Sequence, residues 1–209
     1  MLDWFRRLRG VAADEGPQRW VVVDVETSGF DPTKDGLISI GGVAMRSDGR
    51  VLPGEAIEIV CRQSTASSRE NILVHGIGVQ AQEQGVDPAE ATRAFLDFVR
   101  ASPIIAFHAP FDRGFLARAV KVFVNQPFDN PWLDLAELAP AVDPEAKLKS
   151  LDEWLARYGI SVSVRHSAAA DAFATGLLAT RLLPRAWQQG VRDFASLQKM
   201  ARQAKWLNA

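Results

Sequence analysis

The stretch WVVVDVETSGF, Trp20 to Phe30, sets two tendencies against each other. Val21, Val22 and Val23 form a continuous β-branched run, the pattern of a strand buried on both faces. Asp24 and Glu26 then follow in the same run. Side chains alternate across a strand, so both acids project from one face. Two carboxylates side by side raise the cost of ionising both. One can stay protonated, distant basic groups can pair them, or a divalent cation can bind. Nothing basic lies near them in sequence. Hard, oxygen-seeking Mg²⁺ or Mn²⁺ suits such a pair. The plainer alternative is a strand end that emerges into solvent at a turn.

Outward from this strand, Leu37 to Met45 (LISIGGVAM) reads as a second strand and Glu55 to Val60 as a third. Asp31-Pro32, Asp35-Gly36, Asp48-Gly49 and Pro53-Gly54 supply turns, so the three form an antiparallel meander. The period then changes. Asp87-Pro88-Ala89-Glu90 is a helix start, with Phe95, Phe98 and Val99 on its buried face. Pro103 to Phe107 is a short buried strand, Phe111 to Val120 a helix, and Trp132 to Leu135 a fifth strand. Ser150 to Glu153 is a capping box that opens another helix. Ala168 to Leu183 is a long Ala/Leu-rich helix stopped by Pro184, and residues 186–207 form a last amphipathic helix. Strands first, then alternating helix and strand, imply an α/β fold with a mixed five-stranded sheet flanked by helices.

The 209 residues suit one domain with small appendages. Three segments are expected: a helix and linker over 1–19, a main domain over 20–184, and a basic helix over 185–209. The net charge of −1 is unevenly spread, since residues 181–209 carry six Lys/Arg and one Asp. The acidic body repels a polyanion unless metal ions or basic patches reverse the field. No apolar run approaches the roughly 18 residues of a membrane span. The basic start MLDWFRRLRG has no apolar region behind it, unlike a signal peptide. Cys61 is the only cysteine and fits a reducing, cytoplasmic setting.

Two further acids attract notice. Asp112 follows the strand Pro103–Phe107 and opens a helix, where capping alone could account for it. Asp171 sits among Ala168, Ala169, Ala170, Ala172 and Ala174, where an acid needs a partner. Those small neighbours let the helix lie close to the sheet. His166 stands five residues earlier, about 140° away around one regular helix, so it converges on Asp171 only from a loop ahead of the helix.

Asp24-Val-Glu26-Thr27, then Phe111-Asp112, then His166-x4-Asp171 resemble the DEDDh family of 3′–5′ exonucleases. That family includes the epsilon proofreading subunit of bacterial DNA polymerase III, RNase T and oligoribonuclease. The resemblance runs from about Trp20 to Leu183. A tyrosine-type member would need Tyr four residues before Asp171, and that position is Ser167. SRENILVHGI resembles the family segment ahead of the first long helix. The usual His-Asn of the second block is replaced by Phe107-His108, which affects substrate contacts rather than metal ligands.

The resemblance implies a ribonuclease H-like fold and a two-metal phosphodiester hydrolysis. Asp24, Glu26, Asp112 and Asp171 are the implied ligands of two Mg²⁺ or Mn²⁺ ions, with His166 as general base. Thr27, Phe30, Glu70 and His75 are the implied substrate contacts. The expected substrate is a single-stranded 3′ end of DNA, released as nucleoside 5′-monophosphates. RNA 3′-end trimming and a silent nucleic-acid-binding or polymerase-binding module are the rivals. The terminal helices could dock a polymerase subunit or form a homodimer, or simply pack on their own domain.

Overall fold

The computed structural model describes residues 18–162 and 166–207. The helix expected around Trp4, Phe5 and Leu8 lies outside the described residues. The strands are β1 (Arg19–Thr27), β2 (Leu37–Arg46), β3 (Val51–Val60), β4 (Ile104–Ala106) and β5 (Trp132–Asp134). They form one sheet in the order β3-β2-β1-β4-β5. β1–β2 and β2–β3 are antiparallel, while β1–β4 and β4–β5 are parallel. This is the expected mixed sheet.

β1 divides the core by alternation. Trp20 and Val22 join one apolar cluster, while Val21, Val23 and Val25 join the other. The second face is covered by the helices α3 (Pro88–Val99) and α4 (Ala109–Ala119), through Phe95, Val99 and Leu116. The first face is covered by α5 (Leu135–Val142), α6 (Leu151–Arg157), α7 (Ala168–Gln188) and α8 (Phe194–Leu207). Between β3 and α3 lie two short helices, α1 (Arg69–His75) and α2 (Val79–Glu83), which the sequence pattern did not announce. Asp87 caps α3 and Ser150 with Glu153 forms the capping box of α6, both as read.

Two turn signals act differently from expectation. Pro53-Gly54 lies inside β3 rather than between strands. Val43 pairs with Ala56 and Ala44 with Leu52, so residues 53–55 bulge out of the ladder. Pro lacks the N–H that a ladder needs, and a bulge on an outer strand tolerates that loss. Pro184 likewise does not stop α7, which continues to Gln188. Leu182, Leu183 and Ala186 are fully buried on either side of it, and that packing offsets the roughly 3 kcal/mol an internal proline costs. The boundary expected after Leu183 therefore falls inside a helix. The last helix begins at Phe194, whose ring meets Trp20 edge-on at 5.1 Å. Phe194, Leu197 and Ala201 are buried in the shared core. Gln198 reaches sideways to donate to the Trp132 carbonyl of β5 at 2.8 Å.

A polar knot joins three of these helices. Asp143, at the end of α5, accepts from Arg157 Nε at 2.7 Å and Nη2 at 3.0 Å, and from the Tyr158 hydroxyl at 2.9 Å. Arg185 of α7 lies over the Tyr158 ring at 5.3 Å. The Arg157 bonds hold the Asp143 carboxyl below its usual range, against the opposing effect of burial. A depressed folded pKa gives stability that is present above the ordinary carboxylate range and lost as pH falls through the folded value. Asp143→Asn is thus expected to lower Tm by about 2–4 °C at neutral pH and to converge with the wild type in acid. Thermal melts across pH check this, and a constant Tm difference down to strongly acid pH would refute it.

Candidate active site

The end of β1 is where the alternation brings the acids out. Trp20, Val22, Asp24 and Glu26 share a face, with the first two buried in the core and the acids half-buried at its margin. Asp171 belongs to the first turn of α7 and is 9% exposed. Oxygens of Asp24, Glu26 and Asp171 all lie within 4.8 Å of one another. Gly41 explains how a helix gets this close. It pairs with Asp24 across the ladder. A Cβ there would stand 2.0 Å from the Ala168 carbonyl carbon and 2.2 Å from the Ala169 nitrogen. The helix N-terminus rests directly on glycine backbone.

Asp112, the fourth of the expected ligands, is not part of that 4.8 Å group. β4 pairs with β1 only at Val21 and Val22, which leaves the later part of β1 open on that side. The chain turns at His108 into α4 and brings Asp112 back to this open edge, where the Val25 N–H meets its carboxylate. Asp112 is 2% exposed. Burial pushes its carboxyl well above the usual range, and the nearby charges of Asp134 and Glu26 push the same way, against the N–H groups of Asp112 itself and Val25. Asp134 carries the same strain in milder form. Burial raises its carboxyl, while it accepts from the His108 and Ala136 N–H groups at 3.0 and 2.9 Å.

A cleft of about 370 Å³ opens on Asp24 and Asp171, lined also by Phe107, His108, Lys149, Ser150 and Leu151. A larger hollow of about 490 Å³ lies elsewhere, between Leu37, Phe115 and Phe123. Arg62 and Asp87 on its wall pair with each other at 2.7 Å, so the acid chemistry belongs to the smaller cleft. His166 sits just outside Ser167, the N-cap of α7, with an exposed side chain and φ of 63°. It lies ahead of the helix as expected, but it does not line the cleft.

The expected substrate contacts divide. Phe30 is 90% exposed and does not cover the core. Its ring stands 6.3 Å from Phe111, beside Asp112. Thr27 is buried, with its hydroxyl donating to the Gly29 carbonyl at 2.6 Å. Glu70 is in the first turn of α1, where its own N–H and the Ser68 hydroxyl lower its pKa. His75 does not face the site surface: it is 3% exposed and both ring nitrogens are engaged. Its Nδ1 accepts from the Ile77 N–H at 3.0 Å, so Nε2 carries the proton towards Asn71 Oδ1 at 2.9 Å. Asn71 Nδ2 then donates to the Thr27 carbonyl at 2.9 Å. His75 is thus linked, through Asn71, to the backbone next to Glu26. Sequence reading missed Asn71, since only its contact with residue 27 marks it out. Cys61 is buried, and burial pushes its thiol up to about 12, which leaves it inert at neutral pH.

A sequence model of the exonuclease family, the RNase T type, matches residues 21–178. The chain belongs to this exonuclease family. Among relatives, the chain is 33% identical over 181 residues to a DNA polymerase III subunit epsilon-like protein of Rhodobacter capsulatus, covering 85% of this chain and 25% of that protein. It is 31% identical over 171 residues to the PolC-type DNA polymerase III of Latilactobacillus sakei, covering 78% of this chain and 11% of that one. The chain therefore spans a quarter or less of these two relatives. The fold of the chain is that of E. coli exonuclease I, solved with a dT13 oligonucleotide: TM-score 0.72, 21% identity, covering 83% of this chain and 42% of the other. A zinc-bound form of exonuclease I with single-stranded DNA gives a TM-score of 0.70 at 22% identity, over 84% and 42% of the two chains. Among the described residues, no helix is long and apolar enough to cross a membrane.

Proposed function

We propose that the chain is a metal-dependent 3′–5′ exonuclease that removes nucleoside 5′-monophosphates from single-stranded DNA ends. The observation that carries this reading is the meeting of Asp24, Glu26 and Asp171 oxygens within 4.8 Å on an open cleft. Three hard oxygen donors fit Mg²⁺ or Mn²⁺. Ser39, opposite Glu26 in the ladder, is fully buried, and its hydroxyl meets no hydrogen-bond partner among the described residues. That polar atom also suits a hydrated ion nearby. Asp24, Glu26 and Asp171 would hold two ions, with Asp112 on the flank. When bound, such ions lower the pKa of a water and stabilise the departing oxygen.

The chain's own residues would do the rest. Phe30, exposed and braced on Phe111, offers a face on which the terminal base stacks. The Asn71 bond fixes the Thr27 backbone beside it. The His166 imidazole would accept the proton of the attacking water, from its place ahead of α7. The water oxygen would attack phosphorus, the bond to the 3′-oxygen would break and that oxygen would take a proton from solvent, so a nucleoside 5′-monophosphate and a shortened strand with a free 3′-hydroxyl leave. DNA is favoured over RNA because the matched structure of exonuclease I holds dT13 and the relatives are named for DNA polymerase III. If a polymerase or a second copy is the partner, Phe194, Leu197 and Ala201 of α8 are not the contact, since they are already buried.

The test is a panel of matched 3′-ended DNA and RNA strands with Mg²⁺ or Mn²⁺. Mononucleotide release from DNA is expected, with His166→Ala lowering kcat by about 10²–10⁴-fold and Phe30→Ala acting mainly on KM. RNA cut as fast as DNA would overturn the substrate assignment. No release from any strand would leave a binding module.

A further inference from the structure

The acid cleft poses a problem that its ligands do not solve. A nucleic acid strand brings a phosphate at every step, and the cleft floor is built from carboxylates. Metal ions offset that charge at the scissile bond only. A neighbouring phosphate needs its own partner, because like charges in a narrow cleft repel strongly. Among the described residues, Lys149 is the one Lys or Arg that lines the cleft. It stands immediately before Ser150, the N-cap of α6.

Its backbone is held firmly. The Lys149 and Ser150 N–H groups both donate to Glu153 Oε2 at 2.9 Å, so one carboxylate pins the chain on each side of the Lys149 carbonyl. The Lys149 side chain is exposed. His108, another lining residue, is equally well mounted. Its N–H is bound to Asp134 Oδ1 at 3.0 Å, its φ is 63°, and its ring meets Phe107 edge-on at 4.8 Å. Two nitrogen-bearing side chains, from unconnected elements with fixed backbones, thus share one cleft with Asp24 and Asp171.

We propose that Lys149, assisted by His108, holds a backbone phosphate of the bound strand next to the acid cluster. The inference rests on the reading of this cleft as a nucleic-acid site. Lys149 supplies a point charge and His108 a ring nitrogen, and neither reads a base. The contact sets affinity and register along the strand, not sequence preference.

Fluorescence anisotropy of a labelled single-stranded oligothymidylate in EDTA, across a salt series, tests this without turnover. Lys149→Ala is expected to weaken binding by about 3–10-fold and to lower the slope of log Kd against log salt by about 0.7, the value of one phosphate contact on a single strand. Lys149→Arg should restore both. In Mn²⁺, Lys149→Ala should raise KM by a similar factor with kcat unchanged. His108→Asn keeps a residue tolerant of the left-handed backbone and should raise Kd by about 2–5-fold. An unchanged salt slope in Lys149→Ala would overturn the proposal, whether or not affinity moved, because a purely structural role alters affinity without altering counterion release. The exonuclease reading fails separately, if the wild type releases no mononucleotide in Mn²⁺. Anisotropy would still judge Lys149 in that case.

Discussion

Asp24→Asn is expected to reduce Mn²⁺-dependent mononucleotide release by on the order of 10³-fold or more. In chelator its Tm should be unchanged or higher. The two effects have one cause. Asp24, Glu26 and Asp171 crowd their oxygens within 4.8 Å, so without a cation they repel. Replacing one carboxylate by an amide of the same shape relieves that repulsion and removes a ligand together. The wild type should gain stability from Mn²⁺, by about 2.7 kcal/mol at a hundredfold excess over Kd. For a domain of this size that is a shift of about 5–11 °C. Asp24→Asn should lose most of it. Retention of full activity, or an unchanged Mn²⁺ shift, would remove Asp24 from the ligand set. Melting curves with and without Mn²⁺, beside a release assay, decide it.

Gly41→Ala is expected to damage the site without touching any charge. The new Cβ would meet the backbone of Ala168 and Ala169 at 2.0 to 2.2 Å. Backbone atoms cannot rotate aside, so the start of α7 must lift from β2. Overpacking of this kind costs about 1–3 kcal/mol, and Tm should fall accordingly. Asp171 is three residues from Ala168 on the same helix, so it moves with the lift. A misplacement of about 1 Å in a catalytic group can cost 10²-fold. Activity at a temperature where the variant remains folded should therefore drop by about that factor, with weaker Mn²⁺ stabilisation. Gly42→Ala is the control. Its Cβ would point to the opposite face, against Phe98 at 3.0 Å, which can yield as a side chain. Equal activity loss in the two variants would show that α7 is not positioned by Gly41.

The acids themselves were legible in the sequence because strand alternation and an alanine-rich helix are local patterns. WVVVDVETSGF showed where a strand ends and that its acids share a face. The meander and the later alternation of helix with strand gave the sheet. What stayed hidden depends on pairs far apart in the chain. Gly41 sits in LISIGGVAM as an unremarkable strand residue until Ala168 lies against it. Asn71 looks like any polar helix residue until its amide reaches Thr27. The same distance explains Asp112. Its block was readable, but its capture by the Val25 N–H follows from β4 being only three residues long. Pro53 and Pro184 misled because proline is a punctuation mark only where packing does not overrule it. The burial around Pro184 and the edge position of Pro53 overruled it here.

The two margins of the sheet have a consequence for how this protein meets others. An unprotected outer strand invites a neighbouring chain to zip onto it, which leads to aggregates or swapped assemblies. β3, on one margin, is broken by its bulge at residues 53–55. β5, on the other, is three residues long, and Gln198 already occupies its Trp132 carbonyl. Among the described residues, neither margin presents a long, flat row of free backbone groups. The sheet margins are therefore poor templates for strand-by-strand polymerisation, and the ordered interior of the sheet is left to mount the carboxylates of β1.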